Sequence, residues 1–285
     1  MMQDALLTHL STGATHVCHC WSVVRRDGQT FGFTDHDLPI QFDGITFAPE
    51  SGLSARALAS TTGLAVDNTE AMGVLSSAAI TEADIAAGRY DGAAVTVWLV
   101  QWDDPVARRV RFRGSIGEIT RAGGAFQAEL RGLAEALNQL QGRSYLKTCS
   151  AVLGDAGCRF NVDNPAHSIL LDVVQVDQAQ LYRFTADLPF NEGWFDSGLL
   201  HVQSGAAEGL SAVIKSDVTL STTRTITLWD PIRADVVPGD RIRLVAGCDK
   251  RAETCRLKFN NMLNFQGFPD IPGEDWLMRA PGADG

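Results

Sequence analysis

Four cysteines in two pairs constrain this chain more than any other feature. Cys149 and Cys158 have eight residues between them, Cys248 and Cys255 have six, and about ninety residues separate the pairs. Both pairs sit on turn-like sequence with basic flanks: Lys147, Arg159, Lys250, Arg251, Arg256 and Lys258. Such thiols are either small buried apolar side chains or ligands brought together at one centre. The spacing within each pair is unlike the close pairing of a zinc ribbon. It suits four thiolates converging from two loops, as in iron–sulfur sites held by four cysteines. The flanking cations favour deprotonated sulfur and offset the charge of such a group. Gly154, Gly157 and Gly247 are expected to let backbone amides approach the sulfurs.

The remaining sequence reads as β scaffolding. At 285 residues and 45% hydrophobic content, the chain is long enough for two ordinary domains or one large one. Its 27 glycines, among many β-favouring residues, predict short strands and turns. No apolar run reaches the length of a membrane span. Met1 to Leu10 has neither a basic region nor an apolar core, so it does not read as a signal peptide, and folding in a reducing cytosol is expected. There, six cysteines are not expected to form three structural disulfides. The net charge of −10 argues against broad nucleic-acid binding.

Residues 1–12 read as a short helix. Strands are predicted over 14–24 and 30–34, with turns at Asp27-Gly28 and Asp43-Gly44. A helix over 80–88 has Thr81 as its N-cap and Gly88 as its stop. Strands follow at 94–102, 109–113, 115–121 and 125–131, then a helix over 133–140. Beyond the first cysteine pair, strands are predicted at 168–176, 181–185, 198–202, 211–216, 223–228 and 241–245.

Two other groups have chemical potential. His16, Cys18 and Cys20 share one face of a strand, but no further ligand pair is placed beside them. Asp35-His36-Asp37 suggests general-base or metal-dependent hydrolysis; a turn with locally satisfied side chains reads better. No Gly-x-Ser-x-Gly elbow, phosphate-binding loop or dinucleotide fingerprint is present.

A resemblance covers roughly residues 5 to 278. Gly32-Phe33-Thr34-Asp35-His36-Asp37, Ile80 to Ile85 and Gly88 to Ala93 resemble the N-terminal domain of a phage and gene-transfer-agent tail protein family, the baseplate hubs. Gly193-Trp194-Phe195, Pro238-Gly239-Asp240, Gly247 to Lys250, Thr254-Cys255, Lys258 to Asn261 and Asn264 to Pro269 resemble its C-terminal partner domain. The family is also similar to the tail-tip L protein of phage lambda, whose cysteines bind an iron–sulfur cluster with the same spacing in each pair. The resemblance implies that Cys149, Cys158, Cys248 and Cys255 ligate a [4Fe–4S] cluster, with zinc as the alternative. It implies a structural, non-enzymatic hub: a homotrimer linking the distal tail protein ring to a central tip or fibre protein. DNA passes through its channel without specific binding, and the protein resides in the tail baseplate of a virion-like particle assembled in the bacterial cytoplasm. The expected fold is mainly β, with small antiparallel barrels or sandwich-like hub domains and a few short helices. It comprises residues 1–145, a cluster-stapled domain at 146–278 and a disordered tail at 279–285. The competing expectation is a metal-dependent cell-wall hydrolase or peptidase using Asp35, His36 and the Cys18/Cys20 region.

Overall fold

The computed structural model describes residues 2–49, 68–75, 80–122, 125–132, 142, 145–185 and 188–272, with backbone alone for 2–4, 68–75, 121–122 and 125–127. The predicted helix at 133–140 and the tail at 279–285 lie outside the described residues. The chain divides into two compact units, Met1–Leu140 and Gln141–Gly285.

The first unit holds helix α1 (Met2–Ser11), strands β1 (Val17–Val24), β2 (Thr30–Thr34), β3 (Ile40–Phe42), β4 (Ile45–Phe47) and β5 (Asn68–Leu75), helix α2 (Glu82–Ala86), and strands β6 (Ala94–Gln101), β7 (Arg108–Ala122) and β8 (Ala125–Gly132). Six strands form one antiparallel sheet in the order β2-β1-β6-β7-β8-β5, and β3 pairs with β4. Asp43 and Gly44, with φ of 51° and 76°, make the tight turn between β3 and β4 that the Asp-Gly pair predicts. Strand alternation supplies two cores. Trp21 and Val23 face Val97 and Val95 in one, while Cys20 and Cys18 face Trp98 and Val100 in the other, beside Phe47 and Ile40. Thr81 caps α2 by accepting the Asp84 N–H at 3.1 Å.

The second unit holds β9 (Ser168–Asp172), β10 (Gln175–Asp177), β11 (Leu181–Thr185), β12 (Leu199–Val202), β13 (Ser211–Leu220), β14 (Thr223–Leu228) and β15 (Arg241–Val245), then helix α3 (Ala252–Leu257) and a 3-10 turn at Met262–Asn264. Its sheet order is β10-β11-β14-β13-β12-β15-β9. Leu200, Ile214, Ile226, Leu228, Ile242 and Leu244 are fully buried in its core. An ion pair crosses that core: Arg224 donates to Asp217 at 2.6 and 2.7 Å, and to the carbonyls of Phe190 and Asn191 at 2.7 Å each.

The mainly β, antiparallel character and the scarcity of helices match the sequence reading. The expectation of closed barrels is corrected. Both sheets are open in their strand pairing. In the second, the edge strands β9 and β10 are joined through Val173 and Val174. Val173 donates to Asp240 at 2.9 Å and Val174 to Arg183 at 3.2 Å. The sheet curls so that one segment serves both edges, but a bend interrupts the ladder where a barrel would need a continuous strand.

Candidate functional site: four thiols on two loops and a helix

The four predicted cysteines come together in the second unit. The loop carrying Cys149 and Cys158 is organised by Asp155. Its carboxylate accepts N–H bonds from Cys158 at 2.6 Å, Val152 at 2.8 Å and Gly157 at 2.9 Å. Those bonds, the one from Cys158 foremost, hold the Asp155 carboxyl below the ordinary carboxylate range. The second loop docks on the first: Cys149 donates its N–H to the Lys250 carbonyl at 2.8 Å, and the Lys250 ammonium bonds the Ala151 carbonyl.

Helix α3 carries Cys255, which is 8% exposed. The turn after it supplies Asn261, whose side-chain amide donates to the Cys158 carbonyl at 2.7 Å and to the Cys158 sulfur at 3.4 Å. The Asn261 N–H returns to the Cys255 carbonyl at 3.0 Å. Gln266, on a third loop, donates its N–H to the Cys149 sulfur at 3.3 Å. Sequence reasoning missed α3, Asn261 and Gln266 as parts of the site. Asn261 and Gln266 bring N–H donors to sulfur, and the Lys250 backbone amide acts on Cys248. Gly157 bonds Asp155 instead, and Gly247 bonds the Trp194 carbonyl.

Burial pushes the Cys255 thiol up, and the charges of Cys248, Cys149 and Cys158 push it further. Burial likewise pushes Cys248 up, with Cys149 adding to the rise. The Cys255 thiol therefore lies within electrostatic reach of the other three, and Cys248 within reach of Cys149. Arg159 after Cys158, Lys250 after Cys248 and Asn260 in the turn after α3 adopt left-handed backbone, with φ of 58°, 66° and 47°. Non-glycine residues hold that conformation at a cost of order 1–3 kcal/mol each, compensated by surrounding structure. Among the described residues, no group of three or more His, Cys, Asp or Glu is placed to hold a metal ion.

The hydrolase residues do not assemble in this way. Cys18 and Cys20 are buried in the smaller core of the first unit. Their sulfurs lie 3.7 Å from the Val100 carbonyl and 3.6 Å from the Thr34 hydroxyl. The Cys20 thiol is pushed up by its bond to Cys18 and by burial. His36 accepts the Leu38 N–H at 3.1 Å and stacks on Trp102, with ring centres 5.1 Å apart. Asp35 receives the His19 N–H at 2.6 Å and meets the His19 ring at 3.0 Å. These are locally satisfied turn residues.

A cleft of about 590 Å³ opens beside the second cysteine loop, lined by Val152, Leu199, His201, Val213, Arg243 and Cys248 among others. It separates the outer face of β12 and β15 from the first cysteine loop.

Comparison with known proteins finds two family models, the first of which runs past the boundary between the units and takes in Cys149 and Cys158. Residues 3–161 match the family model of the baseplate hub protein, N-terminal attachment domain. Residues 193–275 match phage conserved hypothetical protein BR0599. No curated protein matches the chain. A chain in the solved virion of a native gene transfer agent (GTA) particle is 52% identical, with a TM-score of 0.90 over 99% of this chain and 97% of that one. The chain belongs to the baseplate hub protein family.

Proposed function

We propose that this protein is a structural baseplate hub of a gene transfer agent or phage particle, and that its four cysteines hold a [4Fe–4S] cluster. The particle assignment is supported by 52% identity along nearly the whole length of a gene-transfer-agent virion chain. In this reading the hub forms a homotrimer in the tail. It links the distal tail ring to a central tip or fibre protein, has no enzymatic role, is assembled in the cytoplasm, and lines a channel for DNA without gripping it.

The cluster reading is supported by the electrostatic influence of Cys248, Cys149 and Cys158 on the Cys255 thiol. Four cysteine thiolates are the donor set such a cluster would take, and a zinc ion would take the same four sulfurs. The residues fit the cluster chemically: Gln266 and Asn261 direct N–H donors at Cys149 and Cys158 sulfur, as sulfurs in such clusters require. The bound group would join loops about ninety residues apart, and that binding free energy adds to folding.

Assembly tests the hub reading. Particles made without this chain should lack an ordered tail tip and fail to deliver DNA, with heads and DNA packaging intact. Normal tails and delivery would reject it.

A further inference from the structure

Six cations flank the cysteines in sequence, and the structure separates them. Lys147, Arg159, Arg251 and Arg256 are exposed. Arg251 faces Asp249 at 3.8 Å, and Arg159 bonds the Ala156 carbonyl. Lys250 is spent on the Ala151 carbonyl. Lys258 is different. It lies half-buried at the end of α3 and donates to the carbonyls of Trp194 at 2.6 Å and Gly247 at 2.9 Å. Its ammonium sits 4.4 Å from the centre of the Trp194 ring.

These contacts place Lys258 next to both cysteines of the second pair in the chain. Gly247 immediately precedes Cys248, and Lys258 lies one helical turn after Cys255. The Gly247 backbone has no slack, since a Cβ there would lie 1.6 Å from the Asp196 carbonyl oxygen. The Lys258 carbonyl accepts from the His167 ring at 2.8 Å, tying in the segment after Cys158. Burial pushes the Lys258 ammonium down, and the charge of Cys248 leads the groups that pull it back up. Among the described residues, no carboxylate forms an ion pair with it.

We propose that Lys258 is the positioning residue and counter-charge of the four-cysteine centre: it clamps the Cys248 loop to α3 and sets a buried positive charge beside the sulfurs. The proposal rests on the cluster reading for its redox consequence. The clamp itself does not. The carbonyls and the Trp194 ring satisfy the half-buried ammonium, and the charges of Cys248, Asp249, Asp196 and Asp217 favour its charged form; thiolates of an occupied centre would add to them.

The test compares Lys258→Met, Lys258→Gln and Lys258→Arg with the exposed control Arg256→Met, in full-length protein purified without air. Outer-shell partners of metal ligands typically change affinity by roughly 10–100-fold. Lys258→Met should lose the cluster at least about tenfold faster to a chelator. Lys258→Arg should stay near wild type. Lys258→Gln, which keeps N–H donors and loses the charge, should fall between them with a lower reduction potential. Equal lifetime and equal potential in Lys258→Met and wild type would overturn the proposal. If wild type holds no metal, the cluster reading fails separately. The clamp is then read by alkylation of the metal-free chains: Cys248 and Cys255 should label several-fold faster in Lys258→Met, with Cys149 unchanged, and equal labelling would overturn it. If Lys258→Met does not fold, Lys258→Gln decides on the same readouts.

Discussion

Asn261 donates one side-chain amide to two atoms of Cys158, the carbonyl oxygen at 2.7 Å and the sulfur at 3.4 Å. Its own carbonyl oxygen is held by Asn264 at 2.7 Å, which fixes the orientation of the amide. One residue thus joins the first cysteine loop to the turn after α3. Asn261→Leu removes the donor and leaves a buried carbonyl poorly satisfied, at about 1–3 kcal/mol. Peptides spanning 149–163 should lose hydrogen-exchange protection, with those of the first unit unchanged.

The Asp217–Arg224 pair sits at 0% and 1% side-chain exposure. Asp217→Asn leaves a guanidinium buried without its counter-charge and should cost roughly 3–5 kcal/mol. Arg224 also holds the carbonyls of Phe190 and Asn191, and Asp217 accepts the Phe195 N–H at 3.1 Å. The loop bearing Trp194 should therefore open first, read as faster exchange over 188–198 than in the sheet.

Gly247 touches the Asp196 backbone, whereas a Cβ at Gly142 would meet nothing within 4 Å. Gly247→Ala must displace main chain. It should belong to the exceptional class that costs more than about 4 kcal/mol, visible as loss of soluble protein or of its second-unit transition in calorimetry. Gly142→Ala should be indistinguishable from wild type.

Asp35 makes an acid-sensitive contact in the first unit. Burial pushes its carboxyl up, but the ring and N–H of His19 outweigh that and hold it below the ordinary value. A carboxyl depressed in the folded state contributes stability above its unfolded pKa, near 3.9. That contribution is lost as pH falls through the folded value. Between about pH 5 and pH 2, wild type should lose thermal stability more steeply than Asp35→Asn. Parallel curves would show that the contact contributes nothing.

Much of this was legible in residue order. The Asp43-Gly44 turn, the Thr81 cap and the strands with alternating apolar residues follow from local chemistry, because φ preference and side-chain period are written at single positions. The four cysteines were legible as a group through their spacing and basic flanks. Helix α3 was not read, although Glu253 near its start and Arg256 near its end are the charges a helix favours there. Asp155 had a signal too, an aspartate two and three residues before Gly157 and Cys158, where its carboxylate caps the turn. Asn261 and Gln266 had none. Their role depends on chain folding back across more than a hundred residues, which no local pattern encodes. The break in the second unit's sheet comes from a bend at Val173 and Val174 that strand periodicity does not mark.

The cysteine assignment is tested most directly by the metal content of protein purified without air. Wild type, and the Cys18→Ala/Cys20→Ala variant if it folds, should be brown, with broad visible absorbance and equal amounts of iron and acid-labile sulfide. Alanine at any of Cys149, Cys158, Cys248 or Cys255 should abolish or sharply reduce both. Colourless wild-type protein carrying a single zinc ion, or no metal at all, would contradict the account.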